Sequence, residues 1–454
     1  MELLLHTVSF LDKADSRTLY SLCLTSKLLC SLCQPMLFST FTSVDKQAGL
    51  LPFTTAITRN PQLASHVQDI TISFPRDLSH VPAPKQPISD LLPAFRHVIA
   101  KIDPPEELEK QWLDAIQGLY VSAFIPLILI QTSNLHRLSF TTLDVDAYDV
   151  KIWREVGDLQ REREATYLPA QLKELEIKYN TTYCFPSFGE VEDLYLPFIK
   201  SLDVCHLGPF YCGDPPTIEP GTLNISDLAL QVSQPGEITV DFINGCTALR
   251  SFKYRVVEDD GGYFLPGHLQ APLRAHAHTL EELKAYFGTT APGSDDDDYE
   301  EEEELGEDEE FYASFAEFVC LKRLTAEGYL MHRLERADFP PALEEYTVRS
   351  EGNFSRDILK LLSSSRDAGF PPLKMNIVSH QRWSTINERW EEDPDRECAA
   401  LVEMLRGTRI SVKLVVTSPY NGPPDHLVFA DGVGYRRKGH GDISEDDWGG
   451  LLCR

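Results

Sequence analysis

One short pattern recurs along most of this 454-residue chain: an apolar residue, two others, a second apolar residue, one other, and a third apolar residue. Clear copies are Val67/Ile70/Ile72, Leu135/Leu138/Phe140, Leu172/Leu175/Ile177, Val191/Leu194/Leu196, Ile199/Leu202/Val204 and Ile225/Leu228/Leu230. They continue as Leu249/Phe252/Tyr254, Leu280/Leu283/Ala285, Leu321/Leu324/Ala326 and Leu343/Tyr346/Val348, with a ragged echo at Leu373/Met375/Ile377. The second and third positions are two residues apart, so on an extended chain they point to one face, and the first anchors the turn leading in. A strand of this length cannot bury its apolar face alone. Successive copies must therefore stack, which predicts an α/β fold built on a parallel β-sheet.

The pattern resembles a degenerate leucine-rich-repeat array. Leu202, Leu228 and Phe252 advance by 26 and 24 residues, and Leu324 to Tyr346 by 22, within the roughly 20 to 29 of that repeat. The asparagine that usually follows the strand is mostly absent, although Asn180 lies just after one copy. The array is expected over residues 44–450. Longer gaps hold insertions, with a helical insert over about 88–131, and irregular loops or helices fill the return path, for example the amphipathic Phe354 to Ser364 and Asp395 to Arg406. Residues 295–310 carry thirteen carboxylates and no basic residue, after a turn-rich stretch from Gly288. A like-charge block repels itself, so about 288–310 reads as a disordered acidic loop. It lacks the spaced ligands and glycine of a calcium loop.

Ahead of the array, Leu4, Val8 and Leu11, then Leu19, Leu22, Ser26 and Leu29, form two apolar stripes at helical spacing, separated by Asp12-Lys13-Ala14-Asp15. Asp12 or Asp15 can cap the second helix, and Pro35 is expected to stop it. Leu3, Leu5, Phe10, Leu24, Leu28 and Leu32 lie off the stripes, leaving apolar surface on more than one face. A segment of roughly 40 residues is too small to stand alone. It either caps the rest of the chain or docks on a partner.

Glu2-Leu3-Leu4, Val8-Ser9-Phe10-Leu11, Asp15, Leu19, Leu22-Cys23 and Ser26-Lys27 together resemble the F-box. The resemblance covers about a tenth of the chain, assigned here to residues 1–43 as an F-box-like helical module. It implies a three-helix module that docks on the adaptor subunit of a cullin-RING (SCF-type) ubiquitin ligase, with the remainder holding a target protein. An F-box followed by an irregular leucine-rich-repeat solenoid is a familiar pairing. The adaptor-binding residues expected on the helical apolar surface are Leu3, Leu4, Val8, Leu11, Leu19 and Leu22. The alternative is a leucine-rich-repeat interaction scaffold without ligase coupling, its helices serving only as a cap.

Composition narrows the remaining classes. A formal net charge of -28 repels polyanions and argues against nucleic-acid binding. The longest apolar run, Leu119 to Ile130, contains Pro126 and is too short to span a bilayer, and no secretory signal pattern is present. A cytoplasmic or nuclear location is expected, and Asn180-Thr-Thr, Asn224-Ile-Ser and Asn353-Phe-Ser read as chance glycosylation matches.

The ten cysteines are scattered and read as reduced small hydrophobes. Cys30-x-x-Cys33 has half of a zinc spacing with no second pair, Cys184, Cys205, His206 and Cys212 form a looser group, and His276-x-His278 is expected on a helix surface. Neither metal nor cofactor is expected. Gly432-Val-Gly434 reads as a turn, Arg436-Arg437-Lys438 as a solvated basic patch, and no nucleophile elbow, HExxH or P-loop is present. No catalytic residue is assigned, and the chain is expected not to be an enzyme.

Overall fold

The computed structural model describes residues 16–43, 49–73, 87–142, 171–179, 199–207, 218–232, 237–256, 266–287, 314–327, 338–350, 373–379, 410–416, 426–430 and 435–438, with 156, 159, 169, 403 and 406. It is a mixed α/β chain of two compact units. The first comprises Met1–Asp241 with Gly245–Thr247, the second Phe242–Asn244 with Ala248–Arg454. The N-terminal helices and the first strands thus belong to one unit.

In the first unit, helices α1 (Ser16–Thr25) and α2 (Lys27–Ser39) lead into strand β1 (Thr40–Ser43). Helices α3 (Leu50–Arg59) and α4 (Pro61–Ala64) precede β2 (Asp69–Ile72). Three helices follow, α5 (Leu92–Ile99), α6 (Glu106–Gln117) and α7 (Val121–Leu129). Then come β3 (Arg137–Thr142), β4 (Glu174–Tyr179), β5 (Ser201–Leu207) and β6 (Asp227–Val232). The six strands pair in chain order, every one parallel to the last.

Register follows the sequence pattern position by position. Ile70, Leu138, Leu175, Leu202 and Leu228 are successive cross-strand partners, as are Ile72, Phe140, Ile177, Val204 and Leu230. All of these are buried, and so are the leading residues Val67, Leu135, Leu172, Ile199 and Ile225. A slip of one residue would turn the whole apolar set outward, so burial of one face fixes the register.

A second device repeats at each step. The residue after the leading apolar one turns its carbonyl toward two consecutive N–H groups of the next unit. Gln68 accepts from His136 and Arg137, His136 from Lys173 and Glu174, Lys173 from Lys200 and Ser201, and Lys200 from Ser226 and Asp227, all at 2.7–3.1 Å. This satisfies backbone donors that would otherwise be stranded where the chain turns into the strand.

Helices α5–α7 pack an aromatic core. Trp112 is fully buried and its Nε1–H donates to the Ala123 carbonyl at 2.8 Å, while Phe95 meets Phe124 edge-on at 6.2 Å. α3, which no repeat copy marks, stacks Phe53 on Phe41 of β1 with centroids 3.9 Å apart. The dividing line between the units runs through helix α8 (Glu237–Gly245).

The second unit repeats the same plan. Its strands are β7 (Ser251–Val256), β8 (Glu282–Tyr286), β9 (Arg323–Glu327), β10 (Glu345–Ser350), β11 (Leu373–Ser379) and β12 (Ile410–Val416), all parallel and paired in order. Helix α9 (Pro266–Leu273) lies between β7 and β8 in the chain. Phe252, Leu283, Leu324, Tyr346, Met375 and Val412 share one register column. The fully buried Tyr254 sits beside Ala285, so the ring packs next to a small neighbour in the stack. The shared-carbonyl device recurs at Arg250, Glu281 and Lys322.

The purely parallel expectation needs one correction. After β12 the chain reverses into β13 (His426–Ala430), antiparallel to β12, and β14 (Tyr435–Lys438), antiparallel to β13. The Gly432–Gly434 turn lies outside the described residues but falls between these two antiparallel strands. Arg436, Arg437 and Lys438 stand on β14, for which no further strand partner exists among the described residues. Charge on such an edge guards against strand-to-strand aggregation.

Of the ten clear repeat copies, nine end on described strands, while Val191/Leu194/Leu196 lies outside the described residues. The acidic run 295–310, the segment 354–364 and most of 395–406 also lie outside them.

Candidate binding surfaces

α1 and α2 form a helical hairpin whose break falls at Ser26. That residue adopts an extended backbone, φ -158, and its Oγ accepts the Leu29 N–H at 3.1 Å, a serine cap that ends the stripe at Ser26 and starts a second helix. Pro35 does not stop this helix. It lies inside α2, which ends where the backbone enters β1 and the Gln68 N–H donates to the Ser39 carbonyl at 2.8 Å. Pairing of β1 with β2 supplies the stop, overriding the local effect of the proline, whose missing N–H costs the helix one hydrogen bond.

The hairpin sorts its apolar residues differently from the sequence stripes. Leu19 is 0% exposed and packs on Cys33, with Leu22, Cys23, Met36 and Leu37 around them. Leu19, expected at the adaptor surface, therefore holds the hairpin together, and Leu22 is half-buried against the same core. Leu3, Leu4, Val8 and Leu11 lie outside the described residues, as do Asp12 and Asp15. The outward apolar residues are instead Tyr20 (57% exposed), Leu24 (70%) and Leu28 (42%). Tyr20 and Leu24 are one helical turn apart on one side of α1, and Leu28 follows four residues later at the start of α2. Two of these, Leu24 and Leu28, are off-stripe residues of the sequence. The sequence signal for Tyr20 is its i, i+4 spacing to Leu24.

The cysteines of the hairpin belong to its packing. Burial, followed by the neighbouring Cys30 and Cys33 thiols, pushes the Cys23 thiol up to about 11, and burial raises Cys33 as well. Cys246 is pushed up to about 12 by burial alone. These thiols are protonated near neutrality and poor nucleophiles or metal ligands. Among the described residues no group of three His, Cys, Asp or Glu side chains could hold a metal ion, and no helix is long and apolar enough to cross a membrane. Of the looser cysteine group, Cys184 and Cys212 lie outside the described residues.

His276 corrects another expectation. It is buried rather than on a helix surface: its Nε2 lies 2.8 Å from the Ile243 carbonyl and its Nδ1 accepts the Leu249 N–H at 3.4 Å. Those partners require Nε2 to carry the proton, so the imidazole staples α8 and the entry to β7 onto the turn before β8. His278 is exposed and plays no part in this.

The outward strand positions form a second surface in each unit. In the second unit the turn residues before β7–β10 are Arg250, Glu281, Lys322 and Glu344, and the first outward register column, Glu282, Arg323, Glu345 and Lys374, continues the alternation of sign. Lys322 Nζ meets Glu281 at 2.8 Å, and Glu282 lies 2.9 Å from Lys284 Nζ and 3.4 Å from Arg323. Burial alone would raise the Glu282 carboxyl, but the hydrogen bonds from Lys284 and Arg323 outweigh it and hold it at about 2. Lys322 is raised by its bond to Glu281, and that bond lowers Glu281 in turn.

No family model and no curated protein matches this chain.

Proposed function

We propose that the chain is a non-catalytic substrate receptor of a cullin-RING (SCF-type) ubiquitin ligase, with an F-box at its N-terminus and a leucine-rich-repeat solenoid holding the target protein. The observation that carries this reading is the outward set Tyr20, Leu24 and Leu28, on a hairpin whose own core is closed by Leu19 and Cys33. Large apolar side chains displayed this way mark contact surfaces, and each contributes roughly 1.5 to 3 kcal/mol when fully buried. Chain order agrees with the F-box pairing: a hairpin bearing Leu22-Cys23 and Ser26-Lys27 precedes in-register parallel strands with apolar anchors. The receptor would act by proximity, raising the effective concentration of a target lysine near the transfer machinery.

Co-purification of the full chain with the adaptor subunit tests this. The wild type should bring the adaptor down, and the triple variant Tyr20→Asp, Leu24→Asp, Leu28→Asp should not, with unchanged circular dichroism. Absence of the adaptor from the wild-type eluate would sink the ligase reading.

A repeat scaffold without ligase coupling is favoured by one specific feature, the passage of α2 into β1 with no intervening loop. On that reading the hairpin is a cap on the first strand. Leu19→Ala would then expose β1 to hydrogen exchange, and the adaptor would bind neither form.

A further inference from the structure

Charge on the outward strand positions of the second unit departs from the rest of the molecule. The chain has 70 acidic and 42 basic residues, yet the described outward side chains of β7–β12 include six cations, Lys253, Arg255, Lys284, Arg323, Lys374 and Lys413, against Glu282 and Glu345. The turn column and the first strand column neutralise themselves by alternating sign. One step further along the strands the alternation stops.

The next outward register column is Lys253, Lys284, Thr325, Thr347, Asn376 and Lys413, with no carboxylate among them. Lys253 and Lys284 are direct register partners on adjacent parallel strands, and Arg255 faces Tyr286 one step beyond. Backbones of neighbouring strands are about 4.8 Å apart, and like charges directly opposite are unfavourable. Glu282 offsets Lys284, but Lys253, Arg255 and Lys374 are exposed and have no carboxylate partner among the described residues. The same sheet shows that alternation is available to this chain. A repulsive pair kept beside it is a feature a bound anion would relieve.

We propose that the outward face of β7–β9, centred on Lys253, Arg255 and Lys284, is the docking surface for an acidic peptide segment of a partner protein. The dimensions suit a peptide. Two strand spacings give about 10 Å across the strands, and positions 253 and 255 are about 7 Å apart along one, room for three or four carboxylates on a short extended segment. The neutral donors and acceptors Thr347 and Asn376 continue the same register column toward β11, with Asn376 donating to Thr347 Oγ1 at 3.3 Å. A net charge of -28 disfavours a long polyanion such as nucleic acid, whereas a local cationic patch of this size holds a short acidic stretch. The assignment rests on reading the strand array as the target-binding part of the chain, and is independent of adaptor coupling.

The test is fluorescence anisotropy of the full chain with a labelled ten-residue glutamate-rich peptide, against the same peptide with glutamine throughout. The acidic peptide should bind and the glutamine peptide should not. Binding should weaken as salt rises, and the double variant Lys253→Glu, Lys284→Glu should lower affinity roughly tenfold or more. Glu282→Gln, which removes the carboxylate beside Lys284, should tighten it.

Equal binding of both peptides, or an unchanged affinity in the double variant, overturns the proposal. So does a single-stranded oligonucleotide that binds more tightly than the peptide through the same lysines. Peptide binding that appears only after the carboxylates of 295–310 are replaced by glutamine would make the chain's own acidic run the occupant, and overturns a partner. Adaptor capture separates the two readings. The lysine variants should keep the adaptor and lose the peptide, while the Tyr20/Leu24/Leu28 variant should do the reverse.

Discussion

The interiors of the two units follow the same design, and the units differ in what they display. Ile70, Leu138, Leu175, Leu202 and Leu228 in the first unit do the same work as Phe252, Leu283, Leu324 and Tyr346 in the second, each buried in one register column. Among the described outward side chains, the first unit shows Asp69, Glu174, Glu176, Asp203 and Asp227 against Arg137, the inverse of the described cations on β7–β9. An interior that only asks for apolar bulk at fixed spacing leaves the other strand positions free. Function can then be written on those positions without disturbing the fold.

The interior equivalence is broken most forcefully by cavities. Phe140→Ala and Phe252→Ala each remove a buried ring and should cost about 3 to 5 kcal/mol. Hydrogen exchange should then show protection lost mainly from β2–β4 in the first case and β7–β9 in the second. Equal loss throughout both units for either variant would mean that they do not behave as separate compact bodies.

The outward difference is sharpened by charge reversal. Lys253→Glu, at an exposed position facing away from the core, should change stability by under about 1 kcal/mol, whereas Lys284→Glu also removes a partner of Glu282 and carries a stability cost of its own. The effect the two share is on acidic-peptide affinity. Reversing the exposed Glu174 to lysine in the first unit should leave that affinity unchanged, since the glutamate-rich peptide docks on the second unit. A comparable loss from both changes, read by anisotropy, would reduce the patch to overall charge.

The interior was legible because Leu-x-x-Leu-x-Φ is a local signal, and the outward column was not, because it exists only once the strands are in register. Lys253 and Lys284 are 31 residues apart in the chain and meet through β-pairing alone. His276 escaped for the same reason, its partners Ile243 and Leu249 lying 33 and 27 residues upstream. β1 was missed because Thr40-Phe41-Thr42-Ser43 offers one apolar residue, and β12 because Ile410-Ser-Val412 has no leading leucine anchor. In the hairpin the sequence is apolar on several sides, so spacing could group Leu19 with Leu22 but could not say which stripe faces inward. Closure of α1 on α2 through Cys33 decided it.

The smallest expected effects compare one arginine–glutamate pair in each unit. Arg137 lies 3.4 Å from Glu176 and Arg323 lies 3.4 Å from Glu282. Arg137 is half exposed, and its replacement by alanine should cost under about 1 kcal/mol in urea denaturation at neutral pH. Glu282 differs because Lys284 joins Arg323 on it and its carboxyl is held at about 2, below the ordinary 4.5.

A depressed folded value means that the ionised form stabilises the fold above about pH 4.5, and that this contribution drains away as pH falls through about 2. Glu282→Gln should therefore cost stability at pH 6 and progressively less below pH 4. Arg137→Ala, measured alongside, controls for the general acid response of the chain. A difference between wild type and Glu282→Gln that stays constant from pH 6 to pH 2.5 would show that the bonds from Lys284 and Arg323 do not favour the charged carboxylate. Glu282 would then no longer be the group that limits the cationic field of this face.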